Sequence, residues 1–226
     1  MSDTTTSTVT STVSSTVSSA VSSAVSNTAA NTVKKLSDGQ RLQLAARNHG
    51  LALLAAMTLW VAADAYVMIS GSGLATLLSV LNAFAAASIM ASIFHEWGHF
   101  AGARLAKSYS PMVTNPLGTF IFGFNFKKNT ARQFLFMSMG GPLANILLVV
   151  LVLLAVPVVN AGSAMLLAVV VARLVSVLVF EVPIILRVMK GGEPEAELEH
   201  GQADGSGDRG QVLGYATGLL VWILAV

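Results

Sequence analysis

The feature that most constrains the fold of this chain is a series of apolar blocks, each of a length that suits a crossing of a lipid bilayer. A helix rises about 1.5 Å per residue, and the hydrocarbon core is about 30 Å thick. Four blocks are therefore easily long enough to cross, and the last is only just long enough. The last block could be a tilted span, a re-entrant piece or a half-span. We predict spans at about residues 50–70, 74–104, 134–159, 163–188 and 212–226.

Composition excludes a water-soluble globule. The chain is 54% hydrophobic and 11% charged, whereas soluble domains average about 45–50% apolar and about 25% charged residues. A net charge of +2, scattered along the chain, does not argue for a nucleic-acid partner, and the lack of cysteine excludes thiolate metal ligands. The sequence therefore predicts an all-α membrane protein, a multi-pass bundle of four to five transmembrane helices with the lipid bilayer as its surroundings.

Residues 1–33 differ from the rest of the chain. They are almost wholly Ser, Thr, Val, Ala and Asn, with a valine at every fourth position from Val9 to Val25. Serine and threonine compete with the helix backbone for hydrogen bonds, so we predict a disordered tail; a transient amphipathic or self-associating segment is the alternative. The tail lacks the basic start and continuous apolar core of a secretory signal. Residues 34–226 are predicted to form one transmembrane domain.

The basic residues predict the orientation of the bundle. If the N terminus is cytoplasmic, twelve of the thirteen Lys and Arg residues lie in cytoplasmic segments, and the turns at residues 71–73 and 160–163 carry none. The exception is Arg173, which lies within a span. Asp64 also lies within a span, and the two could form an intramembrane pair or each contact water or backbone. We expect an integral, multi-pass protein with a cytoplasmic N terminus.

The second span ends in a cluster of ionisable residues. His95 and His99 are four residues apart, so both imidazoles project from one helix face and can bind one divalent ion. Glu96 can reach the space beside that ion without binding it. This is the HExxH pattern of two zinc ligands and a general base. The alternative is that these side chains only extend to the bilayer interface and have no function. Ionisable residues in a membrane helix are costly, however, and usually indicate a functional site.

Two histidines leave a catalytic zinc ion one protein ligand short, since such sites usually have three. Six other residues could supply the third ligand, and composition does not choose among them. They are His49, Asp64, Glu181, His200, Asp204 and Asp208.

Two motifs together resemble those of a known family. The run from Phe94 to His99, followed some forty residues later by Gly-Gly-Pro-Leu-Ala-Asn at residues 140–145, is similar to the site-2 protease family of intramembrane zinc metalloproteases. The resemblance covers about residues 51–205. It implies one zinc ion per chain, with His95, His99 and the Asp of an Asp-Gly pair as ligands. Asp204-Gly205 is the one Asp-Gly that follows the fourth span, so the resemblance assigns Asp204, with Glu181 and Asp208 as the fallback ligands.

The resemblance also implies roles for Asn145 and for the loop before it. Asn145 would help to hold an unwound substrate backbone; a close helix contact made by small residues is the alternative. The alternation of Phe120, Phe122, Phe124 and Phe126 is typical of a strand, so we expect a short membrane-associated β-hairpin that pairs with substrate. A plain amphipathic hairpin accounts for the same pattern. The family has an Asn three residues before a proline. In this chain Phe180 stands three residues before Pro183 instead.

The expected activity is that of an intramembrane zinc metalloprotease. It would hydrolyse peptide bonds in or near transmembrane segments of membrane-protein substrates, with water activated by zinc and Glu96 as the general base. The alternative is a non-catalytic membrane protein that binds or transports a metal, or a family member that has lost catalysis. The sequence does not indicate the oligomeric state.

Overall fold

The computed structural model describes residues 36–114 and 120–226, so the tail predicted at residues 1–33 lies outside the described residues. The described residues form six helices and no β-strands. The helices are α1 (Asp38–Ser70), α2 (Gly73–Leu105), α3 (Ala131–Ala155), α4 (Ala161–Met189), α5 (Pro194–Ala203) and α6 (Ser206–Ala225).

Polar capping residues fix where the long helices begin. Ser37, Thr130 and Asn160 each close a capping box with the residue three positions later, which satisfies backbone N–H groups that the first turn of a helix leaves free. Ser72 accepts a hydrogen bond from the N–H of Ala75 at the start of α2. Gly71 ends α1 with a φ of +60°, which glycine adopts readily, and the chain turns directly into α2.

Four helices are long and apolar enough to cross a membrane: α1, α2, α3 and α4. They confirm four of the predicted spans, although α1 begins at Asp38, well before residue 50. The outer surfaces of these helices carry many exposed large apolar side chains, such as Leu54, Ile69, Leu81 and Leu154. Such surfaces suit lipid contact and indicate a membrane protein. The fifth predicted block lies in α6, which is not among these four.

The contacts between helices give their relative directions. Asp64 with Ser79 and His49 with Trp97 pair α1 antiparallel to α2. Helix α4 is the central element, because it contacts α2, α3, α5 and α6 and has the most buried residues. It runs parallel to α2, since Gly162 lies beside Ser79 at one end and Glu181 lies beside His95 near the other.

Glycine allows two pairs of helices to approach closely. The backbone of α2 at Gly98 lies against that of α3 at Gly140, and a Cβ at either position would meet the carbonyl oxygen of the other. Along α6, Gly210, Gly214 and Gly218 face the backbone of α4 in the same way. Small residues at four-residue spacing are typical of membrane-helix packing, where van der Waals contact replaces the hydrophobic effect.

The β-hairpin expected around Phe120–Phe126 is not formed in the described residues. One isolated antiparallel bridge, between Met112 and Phe122, stands in its place. The alternation fails because neighbouring side chains are both buried: Ile121 is 2% exposed and Phe122 is 9% exposed, whereas Phe120 is 72% exposed. A strand that lies on a membrane surface would bury only every second side chain.

The two charged residues within spans do not pair with each other. Asp64 Oδ1 accepts a hydrogen bond of 2.7 Å from Ser79 Oγ, which ties α1 to α2. Arg173 Nη2 lies 3.5 Å from Ser92 Oγ, which is on α2. Each therefore has its own polar neighbour.

Candidate metal centre

The structure brings His95, His99 and Glu181 together. Oε1 of Glu181 lies 3.0 Å from Nε2 of His95 and 3.3 Å from Nε2 of His99, and the two Nε2 atoms are 3.0 Å apart. The two histidines lie on one face of α2, as their spacing predicts, and Glu181 comes from α4. These three residues form the one group of potential metal ligands with this geometry in residues 36–114 and 120–226.

The hydrogen bond of His99 defines which of its nitrogens faces the group. Nδ1 of His99 lies 2.8 Å from the carbonyl oxygen of Met137. A carbonyl only accepts, so Nδ1 carries the proton and Nε2 of the neutral ring presents a lone pair. A carbonyl that accepts a hydrogen bond from the other ring nitrogen commonly orients the metal-binding histidines of proteins.

The geometry of the group fits a divalent cation. Two imidazole nitrogens and a carboxylate oxygen converge, and three acceptor atoms this close repel one another unless a proton or a cation lies between them. Zinc bound tetrahedrally at about 2.0–2.1 Å needs its ligand atoms about 3.3 Å apart, close to the distances observed. Nδ1 of His95 and Oε2 of Glu181 are buried and have no hydrogen-bond partner among the described residues.

Gly141 leaves the space that the two rings occupy. A Cβ at this position of α3 would lie 2.5 Å from Nε2 of His99 and 2.6 Å from Cε1 of His95. Any larger side chain would therefore displace the ligands. Packing of α3 against the imidazoles explains why a glycine stands at this position.

Glu96 is next to the candidate metal ligands but is not one of them. Its side chain is buried, and Oε1 accepts a hydrogen bond of 3.0 Å from the backbone N–H of Ile121. No hydrogen bond within the described residues engages Oε2. The loop that was expected to form a hairpin therefore holds one oxygen of Glu96 and leaves the other for a proton.

All four of these side chains line one cavity of about 540 Å³ between α2, α4 and the loop. Five phenylalanines form part of the cavity wall: Phe120, Phe122, Phe124, Phe134 and Phe180. An apolar cavity with a few convergent polar groups is the usual form of a binding site for an organic ligand.

Asp204, which the resemblance assigns as the third ligand, is not part of the metal centre in the structure. It ends α5, and its Oδ1 accepts a hydrogen bond of 2.7 Å from the N–H of Ser206 and lies 3.5 Å from Arg209. Hydrogen bonds from Ser206 hold the pKa of Asp204 below its usual value. Helix α4 continues past Pro183 to Met189, and the ten-residue helix α5 that follows ends at Asp204, which is exposed. Glu181, a fallback ligand, takes the position beside the imidazoles.

The other candidate ligands also lie elsewhere. Nδ1 of His49 accepts a hydrogen bond of 3.0 Å from Nε1 of Trp97. His200 lies in the last turn of α5 and Asp208 in the first turn of α6, and both are exposed. Asp64 is bonded to Ser79, as described above.

Asn145 lies one helical turn beyond Gly141 and is 2% exposed. Its Oδ1 is buried with no hydrogen-bond partner among the described residues, but its side chain is not part of the cavity wall. An unbonded amide oxygen in a membrane helix is costly, so a partner for it is expected. A role for Asn145 in substrate binding remains a prediction.

Two contributors to the site carry no signal in the sequence. The Met137 carbonyl and the Ile121 N–H are main-chain groups, which nearly every residue possesses.

No protein-family model, no curated protein and no solved structure matches this chain. The geometry of His95, His99 and Glu181 is therefore the observation on which a functional assignment rests.

Proposed function

We propose that this chain is an intramembrane zinc metalloprotease that resembles the site-2 protease family. The observation that carries the proposal is the convergence of His95, His99 and Glu181 within a helical bundle, beside the buried carboxylate of Glu96. Two imidazoles and one carboxylate are a ligand set of catalytic zinc sites that hydrolyse peptides. The substrate would be a membrane protein with a transmembrane segment.

The chain's own residues divide the chemistry among them. His95, His99 and Glu181 would hold the metal, and zinc bound there supplies a Lewis acid that activates water at neutral pH. Glu96 accepts a proton from the water that attacks the peptide carbonyl and passes it to the departing amine, through the oxygen that Ile121 leaves free. The Ile121 N–H keeps the carboxylate in place during both transfers.

The surroundings support peptide hydrolysis within a membrane. Peptide groups in a membrane helix already bond to one another, so a protease there needs a polar cavity and a locally unwound substrate. The cavity contains polar groups beside phenylalanine side chains. Its volume is sufficient for several residues of an extended chain. Asn145 and the backbone of the loop are our candidates for holding that chain.

The test is zinc content measured together with cleavage of a single-span peptide by the full chain in lipid nanodiscs. The Glu96→Gln variant is expected to keep its zinc and to lose cleavage by at least about 100-fold, the lower end of what a general base contributes. The His95→Ala variant should lose both. Glu199→Gln, at an exposed position on α5, is the matched control and should cleave normally.

Cleavage that is unaffected by Glu96→Gln would refute the assignment of the base. Zinc that binds stoichiometrically with no hydrolysis of any single-span peptide would favour the alternative, a non-catalytic protein that binds or transports metal.

A further inference from the structure

Arg173 carries a charge in the middle of α4, and no acidic residue in the described part of the chain forms an ion pair with it. The ion pairs among the described residues involve other groups, and the one hydrogen bond of Arg173 is the 3.5 Å contact with Ser92 Oγ. A charged side chain at this depth in a membrane helix is costly and usually faces a cavity or a partner.

The guanidinium lies where two cavities meet. The cavity of the candidate metal centre and a second cavity of about 400 Å³ have two residues in common, Ser92 and Arg173. The second cavity lies between α2, α4 and α6 and is lined by Phe84, Met165, Tyr215 and Trp222 among others. An extended chain that ran from one cavity into the other would pass the contact between Arg173 and Ser92.

The helices place this junction next to the metal centre. Ser92 precedes His95 by three residues on α2, so the two share a face about one turn apart. On α4, Arg173, Val177 and Glu181 follow at four-residue spacing and all line the metal-centre cavity. A peptide bond near the metal would therefore have neighbouring side chains within reach of the guanidinium.

A lipid headgroup does not fit as the occupant. Arg173 is twelve residues from Ala161 and sixteen from Met189, the two ends of α4. At 1.5 Å per residue these separations are about 18 Å and about 24 Å, which puts Arg173 near the middle of the bilayer and away from lipid phosphates. A molecule that enters the cavities could bring an anion to Arg173 at this depth.

We propose that Arg173 is a specificity-determining residue that binds a carboxylate side chain of the substrate, a few residues from the bond that is cut. The proposal rests on the proposed function. Its chemical basis is the geometry of guanidinium, which bonds carboxylate through two parallel N–H groups and keeps its charge when it is buried. An acidic residue within a transmembrane segment would be stabilised in this site and in few other places within the bilayer.

The test measures peptide binding rather than cleavage. The full chain with Glu96→Gln is placed in nanodiscs with a set of single-span peptides, each with one Asp at a different position, and each is compared with its Asn counterpart. At one position or two adjacent ones, the Asp peptide is expected to bind at least about tenfold more tightly than the Asn peptide. Adding Arg173→Gln should abolish this preference, and adding Arg173→Lys should retain part of it.

Equal binding of Asp and Asn peptides at every position would overturn the proposal, and so would a preference that survives Arg173→Gln. A preference lost in Arg173→Gln but kept in Arg173→Lys shows that charge matters and that the fold is intact.

A further experiment uses nanodiscs of anionic lipid. Lipid that competes with the Asp peptides only when Arg173 is present would assign the site to lipid instead. Because binding is measured without turnover, failure of the proteolytic function leaves this result interpretable. Cleavage by the wild type without an Asp preference would refute the subsite alone.

Discussion

Oε1 of Glu181 lies 3.0 Å from Nε2 of His95, and this contact joins the two parallel helices at the centre of the bundle. The imidazole belongs to α2 and the carboxylate to α4, so a cation bound between them would link the helices as well as complete the site. Such side chains come together only in the folded chain, so a metal bound there would contribute to the stability of the fold.

The first prediction separates the two candidates for the third metal ligand. Glu181→Gln replaces a charged candidate ligand with a neutral amide and should weaken zinc binding by more than about 100-fold. Even the loss of a group that hydrogen-bonds to a ligand weakens metal binding by about 10–100-fold. Asp204→Asn should leave zinc affinity unchanged, because Ser206 and Arg209 engage this residue outside the cavity. The measurement is competition for zinc with a chelating dye. Zinc loss in Asp204→Asn with retention in Glu181→Gln would reverse the assignment.

The second prediction concerns Gly141. Alanine within a helix normally stabilises it by about 0.5–1 kcal/mol relative to glycine. At Gly141 the added Cβ would meet both imidazole rings, so we expect Gly141→Ala to weaken zinc binding by at least about tenfold. Gly50→Ala in α1 is the matched control, because a Cβ there has no neighbour within 4 Å and should leave zinc binding intact. Normal zinc binding by Gly141→Ala would show that the rings have room to move.

The third prediction tests whether His49 is structural. Nδ1 of His49 accepts the indole N–H of Trp97, so His49→Ala leaves a partly buried donor unpaired. The loss should lower the free energy of unfolding by about 1–3 kcal/mol and leave zinc content at one ion per chain. Thermal unfolding with and without the additional change Trp97→Phe measures the coupling between the two residues. If His49→Ala removed zinc without changing stability, His49 would be a ligand.

Local spacing is sufficient to predict part of the candidate metal centre. A separation of four residues on a helix places His95 and His99 on one face in any fold, and Glu96 next to them. The third residue comes from α4, and only the packing of α2 against α4 selects Glu181 from six candidates. The Asp-Gly motif pointed to Asp204 because the sequence did not reveal that residues 194–203 form a helix that carries the carboxylate elsewhere.

The loop before α3 shows a second limit of sequence patterns. Period-two spacing of phenylalanines predicts a strand when only one face is buried. Here Phe124 and Phe126 pack against Phe134, whereas the neighbours Ile121 and Phe122 both lie in a separate core with Phe100. Burial on more than one side breaks the alternation, and tertiary packing decides the outcome.

Helix α6, which contains the last predicted span, packs along α4. Its hydropathy does not place it among the four helices that are long and apolar enough to cross. Yet Gly210 lies at Ser176, Gly218 lies at Ala168, and Nε1 of Trp222 donates a hydrogen bond of 3.1 Å to the carbonyl of Ala161, the first residue of α4. The helix thus follows α4 from Ser176 back to its beginning, over about 22 Å at 1.5 Å per residue.

The fourth prediction follows from this antiparallel contact. If α4 crosses the bilayer, α6 crosses it in the opposite direction, and the C terminus lies on the opposite side of the membrane from the N terminus. Reporters whose activity depends on compartment, fused in turn to each terminus, should therefore give opposite results.

Gly214→Ile should disturb the packing of α6 on α4, because a side chain there would meet Ala172 and Ser176, whereas Ala216→Ile on the exposed face should be tolerated. Both termini on one side would mean that α6 enters the bilayer and returns, and that Trp222 does not remain at the end of α4.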